Sequence, residues 1–149
     1  MLDLAKEIKK VGLRNVMVSN GFINKKPLME LLEYIDAFNI DLKAFDNNFY
    51  NKITKSNIEP IKENLKLIKK PGKHLEITNL LIPTLNDNYE KFKNMCRWIE
   101  KELGRDTVLH ITRYFPMYKM NIEATKIDLI KKFYKIAKKY LDYVYLGNI

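Results

Sequence analysis

Asp41 and Lys43 stand two residues apart in Ala37-Phe-Asn-Ile-Asp-Leu-Lys43. On an extended strand that spacing puts both charges on one face. Charges at a strand end need a partner or a ligand, because burying them alone is expensive. Two readings follow: a mutual salt bridge, or a site that takes hydroxyl groups on Asp41 and an anionic group on Lys43. Ser19-Asn20-Gly21-Phe22 is the second candidate. It lacks the repeated glycines and the Lys-Ser/Thr of a phosphate loop. It reads either as a turn in which Gly21 supplies positive φ, or as a ligand loop offering the Asn20 amide and exposed backbone.

Other chemistry-bearing side chains are sparse. His74 sits beside Gly72 at a strand start and reads as structural or solvent-facing, and His110 lies near the start of another strand. Neither has zinc-ligand spacing, and no serine is placed beside a base. Cys96 falls in line with Phe92, Ile99 and Leu103, which makes it a small core residue. A single cysteine excludes an internal disulfide, a Cys-rich zinc site and an iron–sulfur cluster held by the chain's own thiolates. Asn86 or Asp87 in Ile82-Pro-Thr-Leu-Asn-Asp87 suits a helix N-cap or a ligand loop. Arg113-Tyr-Phe-Pro-Met-Tyr-Lys-Met120 is an aromatic, basic loop that either covers a cavity or meets a partner.

The elements that must position these residues alternate along the chain. Helical stripes run through Leu4 to Val11, Leu28 to Ile35, Ile58 to Ile68, Phe92 to Leu103 and Ile127 to Leu141, with a short helix around residues 46–53. Strands are expected at 15–19, 38–42, 75–82, 108–114 and 143–146. Strands separated by helices imply βαβ units and a parallel sheet. Strands buried on both faces would be continuously apolar. Here Phe38, Ile40 and Leu42 alternate with Asn39, Asp41 and Lys43, and Glu76 and Thr78 share one face, as do His110, Thr112 and Tyr114. One apolar face toward helices and one polar face is the pattern of a full or partial (β/α) barrel with a polar lumen. Such barrels place chemistry at the C-terminal strand ends.

The 149 residues suit one domain, with 46% hydrophobic and 30% charged residues. The formal net charge is +9, but four arginines leave 23 lysines among the 27 cations. Lysine binds phosphate as a point charge without the fork that reads bases, so a basic nucleic-acid-binding adaptor ranks last. No apolar run reaches the ~18 residues of a membrane span, and the amphipathic start lacks a signal peptide's apolar segment. A cytoplasmic protein without membrane contact is the expectation.

Five stretches in order carry a resemblance: Val18-Ser-Asn-Gly-Phe-Ile23, Tyr34-Ile-Asp-Ala-Phe-Asn-Ile-Asp-Leu-Lys-Ala-Phe45, Glu76-Ile-Thr-Asn-Leu-Leu-Ile-Pro-Thr-Leu-Asn-Asp87, His110-Ile-Thr-Arg-Tyr-Phe-Pro-Met-Tyr-Lys-Met120 and Tyr145-Leu-Gly-Asn148. Together they resemble the middle and C-terminal portion of radical SAM enzymes of the pyruvate formate-lyase activating enzyme group, and most closely the AmmeMemoRadiSam-system proteins. The resemblance implies an α/β fold, a partial (β/α) barrel truncated at its N-terminal βα units. It implies S-adenosylmethionine and a [4Fe–4S] cluster as cofactors, with reductive cleavage of the former to a 5′-deoxyadenosyl radical. It also implies that Asn20, Gly21, Asp41 and Lys43 border the bound S-adenosylmethionine. Thr78 and Val18 stand where some activating enzymes have an arginine and an acidic residue, so those two contacts do not carry over.

The family's Cys-x3-Cys-x2-Cys loop is not found in these residues. The expectation is therefore a fragment, inactive alone, whose cluster half is encoded upstream or supplied by a separate chain, and whose radical acts on a protein or small-molecule substrate. The alternative is a stand-alone nucleoside or S-adenosylmethionine binding module without catalysis.

Overall fold

Period-two alternation in the strands and 3.6-residue stripes in the helices can be satisfied together only if one face of a sheet receives all the helices. A computed structural model, which describes residues 1–149, has that arrangement. Strands β1 (Val16–Ser19), β2 (Ala37–Asp41), β3 (His74–Leu81), β4 (Val108–Arg113) and β5 (Val144–Gly147) form one sheet in the order β1-β2-β3-β4-β5. Every pairing is parallel, with Val18 beside Asn39, Asp41 beside Thr78, Thr78 beside His110 and Thr112 beside Gly147. Simple sequential order with helical crossovers is the progression of a partial (β/α) barrel.

The helices are α1 (Leu2–Lys10), α2 (Lys25–Leu32), α3 (Asn47–Phe49), α4 (Ile58–Lys69), α5 (Tyr89–Leu103) and α6 (Ile127–Ala137). After α3 the chain continues into a π-helical turn, Tyr50–Thr54, ended by Lys55 in the left-handed region. The wide turn carries Tyr50 into the core, where its hydroxyl reaches the end of β2. Phe38, Ile40, Ile77, Leu109 and Ile111 meet Leu28, Leu65, Ile99 and Phe133 in one continuous core of 31 buried residues. Lysines lie outside it, several tied to carboxylates one helical turn away, as in Lys62–Glu59 and Lys66–Glu63.

The structure adjusts two local expectations. The cap of α5 is Asn88, whose side chain accepts from Lys91 N, rather than Asn86 or Asp87. Asn86 instead accepts from Ile82 N and donates to Leu80 O, closing its own loop. The last helix stops at Ala137, and Leu141 packs into the core from the turn that follows. On β1 the lumen-facing positions are apolar, so Val18 is 76% exposed at the edge of the sheet. No helix is long and apolar enough to cross a membrane.

Candidate functional site

The polar sheet face is built around Glu76. Its Oε2 lies 2.8 Å from His110 Nε2 on β4, and its Oε1 lies 3.0 Å from His74 Nε2 on its own strand. Asn39 on β2 donates to Glu76 at 3.3 Å and accepts from the Thr78 hydroxyl at 2.7 Å. Tyr145 on β5 stacks on the His110 ring, with centroids 5.7 Å apart. The network spans four strands, and its members alternate with core residues, so the strand period alone aims all of them one way. The imidazole of His74 holds the Glu76 carboxyl below its ordinary value, with His110 adding to the effect and partial burial opposing it. Glu76 therefore contributes stability above the ordinary value of 4.5, which is lost as pH falls through the lower folded-state value. Glu76→Gln is expected to destabilise the fold at neutral pH, with the gap to the parent closing below that point. Urea unfolding at pH 7 and at successively lower pH measures it, and a gap independent of pH would contradict the assignment.

Toward the C-terminal ends of the strands, Lys43 Nζ lies 2.7 Å from Asp41 Oδ2. The sequence alternatives of salt bridge and ligand site are thus met by one geometry: the two charges are paired and both remain partly open to solvent. Three buried or half-buried groups fix the backbone of this segment. The Tyr50 hydroxyl accepts from Lys43 N at 3.0 Å, and burial pushes its pKa up to about 12, so it stays neutral. Asn79 Nδ2 donates to Leu42 O at 2.8 Å and to Lys43 O at 3.1 Å, and Asn86 Nδ2 donates to Lys43 O at 2.6 Å. Sequence reasoning singled out Asp41 and Lys43 and missed Tyr50 and Asn79. An asparagine at a helix-facing position of β3, among apolar neighbours, was the signal for the latter.

Asn20 and Lys43 line one small cavity of about 180 Å³ with Tyr50 and Ser56. Asn20 Oδ1 accepts from Phe22 N at 3.0 Å, which shapes the turn. Gly21 adopts φ +71°, and its carbonyl accepts from Asn64 Nδ2 at 2.9 Å. A Cβ here would stand 2.7 Å from Ile40 Cγ2, so glycine lets the loop lie flat on the core. At the far side, Gly147 opposes Thr112 and leaves the lumenal face without a side chain at that point. The aromatic loop after β4 is held by Tyr114 Oη donating to Met120 O, while Phe115, Met117 and Tyr118 project outward.

A parallel partial barrel with polar groups gathered on its open face is shared by many enzymes, and comparison with known proteins decides among them. The sequence model of the radical SAM superfamily matches residues 1–99. The chain belongs to this superfamily. Over its whole length this radical SAM chain is 39% identical to the protein MJ0808 of Methanocaldococcus jannaschii, of which it spans 44%. It is 27% identical, over 95% of its residues, to a pyruvate formate-lyase-activating enzyme of Clostridium pasteurianum, of which it spans 64%. In fold it matches a domain of pyruvate formate-lyase-activating enzyme from Bacteroides vulgatus, with a TM-score of 0.87 and 17% identity, covering 99% of this chain and 89% of that one.

The family implies a [4Fe–4S] cluster and S-adenosylmethionine, and the residues present fit the two unequally. Cys96 lies on α5 with no exposed surface, and burial pushes its thiol pKa up to about 12, far from the thiolate a cluster ligand must be. No group of three His, Cys, Asp or Glu side chains converges to hold a metal ion. These residues do not fit the cluster. Toward S-adenosylmethionine the chain offers the carboxylate of Asp41 and the ammonium of Lys43, partly open to solvent, and the Asn20 loop, which shares a cavity with Lys43.

Proposed function

We propose that this chain forms the S-adenosylmethionine-bordering, substrate-facing wall of a radical SAM enzyme of the activating-enzyme type, with the cluster held by residues outside these 149. The carrying observation is the Asp41–Lys43 pair at the C-terminal end of β2. Its backbone is fixed by Tyr50, Asn79 and Asn86, in a chain whose one cysteine is unfit as a ligand.

In this reading Asp41 accepts hydrogen bonds from ribose hydroxyls, and Lys43 holds a carboxylate as a point charge. The Asn20-Gly21 loop offers an amide and backbone groups to the same ligand. The Glu76 network keeps the lumenal wall polar and ordered for the substrate side. The assembled enzyme's activity would be reductive cleavage of S-adenosylmethionine, with the radical passed to a protein or small-molecule substrate. Anaerobic treatment of the isolated chain with iron and sulfide is expected to leave it colourless. A stable [4Fe–4S] absorption spectrum would overturn the proposal.

A second reading, a binding module without chemistry, rests on the cavity that Asn20 and Lys43 line together with Tyr50, Thr54 and Ser56. Calorimetry of the isolated chain with S-adenosylmethionine and S-adenosylhomocysteine separates the two. The module requires binding of both that Asp41→Ala abolishes, whereas the enzyme wall requires the cluster-bearing segment for firm binding.

A further inference from the structure

The loop between β4 and α6 takes no part in the S-adenosylmethionine wall, yet its base and its tip are both held in one conformation. At the base Tyr114 N donates to Thr125 Oγ1 at 3.2 Å, Thr125 N donates to Tyr114 O at 3.0 Å, and Arg113 Nε donates to Thr125 O at 2.6 Å. The buried Thr125 hydroxyl donates in turn to Leu81 O on β3, which ties the loop to the sheet. At the tip Met117 and Met120 form an antiparallel bridge, with Met120 N donating to Met117 O at 3.1 Å and Tyr114 Oη to Met120 O at 2.9 Å. Tyr118 makes the turn at φ +55°, a left-handed conformation uncommon outside glycine. This frame displays apolar side chains: Tyr118 is 90% exposed, Met117 77% and Phe115 45%. A lid closed over the lumen would bury them, and apolar groups gathered in the open mark an interaction surface.

We propose that this loop docks an acidic segment of a protein partner at the mouth of the lumen, its carboxylates on Arg113 and Lys119 and its apolar side chains against Phe115, Met117 and Tyr118. The proposal rests on the radical SAM reading, in which that partner carries the group the radical attacks. The sign comes from the charges. Residues 113–126 hold the cations Arg113, Lys119 and Lys126 and one acid, Glu123, and no carboxylate pairs with any of the three cations. Two of them lie instead on aromatic faces, Arg113 Cζ 4.5 Å from the Phe115 centroid and Lys119 Nζ 5.2 Å from that of Tyr118. Each pair offers a cation and an apolar ring side by side, so one acidic residue and its apolar neighbour can be taken together. Pro116 and Met117 stand between the pairs, where a nucleic acid would need further cations for its phosphates. Aromatic and arginine anchors on a preformed frame lose little conformational freedom on binding.

Titration of the ¹⁵N-labelled chain with the blocked peptide Asp-Glu-Asp-Leu-Phe-Glu-Asp-Glu tests this, beside its Asn/Gln analogue, a peptide with the acidic residues but glycine for Leu-Phe, a uridine decanucleotide and phosphatidylserine vesicles. Saturable shifts are expected at the amides of Phe115, Tyr118 and Lys119. The acidic apolar peptide should bind roughly tenfold or more tightly than either peptide control, and more tightly than the nucleotide or the vesicles. Tyr118→Asn, which suits the left-handed turn, should weaken it roughly fivefold or more, and Lys119→Glu by a similar factor. Both side chains are exposed, so neither variant endangers the fold. No saturable shift at millimolar peptide, equal binding of the three peptides, or preference for the nucleotide or vesicles would overturn the proposal. So would loss of the shifts on adding the cluster-bearing segment, which would make the loop an internal contact. The titration uses neither cluster nor S-adenosylmethionine, so its failure leaves the cleavage assay standing, and failure of that assay leaves the titration readable.

Discussion

Asp41→Ala in the assembled enzyme is expected to weaken S-adenosylmethionine binding by roughly ten- to a hundredfold with little change in stability. Hydrogen bonds to a charged group contribute ~1.5–3 kcal/mol, which corresponds to that range. The stability side follows from exposure. The Asp41 and Lys43 side chains are 33% and 35% exposed, and solvent-screened pairs of this kind contribute at most about 1 kcal/mol. The segment's geometry comes instead from Tyr50, Asn79 and Asn86, none of which the substitution touches. Calorimetry of the assembled enzyme and thermal unfolding of the chain read the two effects separately. Unchanged affinity with a lowered melting temperature would reduce the pair to a surface salt bridge. Lys43→Met should weaken binding of S-adenosylmethionine more than that of 5′-deoxyadenosine, which lacks the carboxylate.

Gly21→Ala is expected to lower stability by about 2–4 kcal/mol, a fall in melting temperature of roughly 5–15 °C. The added Cβ would meet Ile40 Cγ2 at 2.7 Å and Ile61 Cγ2 at 3.2 Å. Ile40 is on β2 and Ile61 on α4, each only 2% exposed, so neither side chain has room to retreat. The backbone at φ +71° adds the strain of a left-handed conformation. Gly72 is the control, with φ +75° and nothing within 4 Å of its added Cβ. Gly72→Ala therefore isolates the backbone component, about 1 kcal/mol. Equal losses at the two glycines, measured by thermal unfolding, would contradict the packing assigned to Gly21.

The features legible in the sequence are those that period and punctuation determine. Alternation of Phe38, Ile40 and Leu42 with Asn39, Asp41 and Lys43 placed the pair on the lumenal face, and that is where β2 carries it. The stripe of Phe92, Cys96, Ile99 and Leu103 placed the thiol in the core. Relations that depend on register were not legible. His74 and Glu76 are two apart on one strand, but His110 joins them only because β4 pairs with β3 in a particular stagger. The clamp on Lys43 was hidden for a related reason. Tyr50 falls within the short helix expected around residues 46–53, and it is the π turn found there that delivers its buried hydroxyl to a strand end 7 residues earlier. On β1 the period also holds, with Met17 turned to the core and Val16 and Val18 exposed on an apolar edge.

Formation of 5′-deoxyadenosine tests the central claim most directly, with this chain assayed alone and again with a segment carrying Cys-x3-Cys-x2-Cys, under anaerobic conditions with iron, sulfide, dithionite and S-adenosylmethionine. The expected result is product only from the combination, lost when the chain carries Asp41→Ala. Product from the chain alone, or from the combination undiminished by Asp41→Ala, would contradict the account.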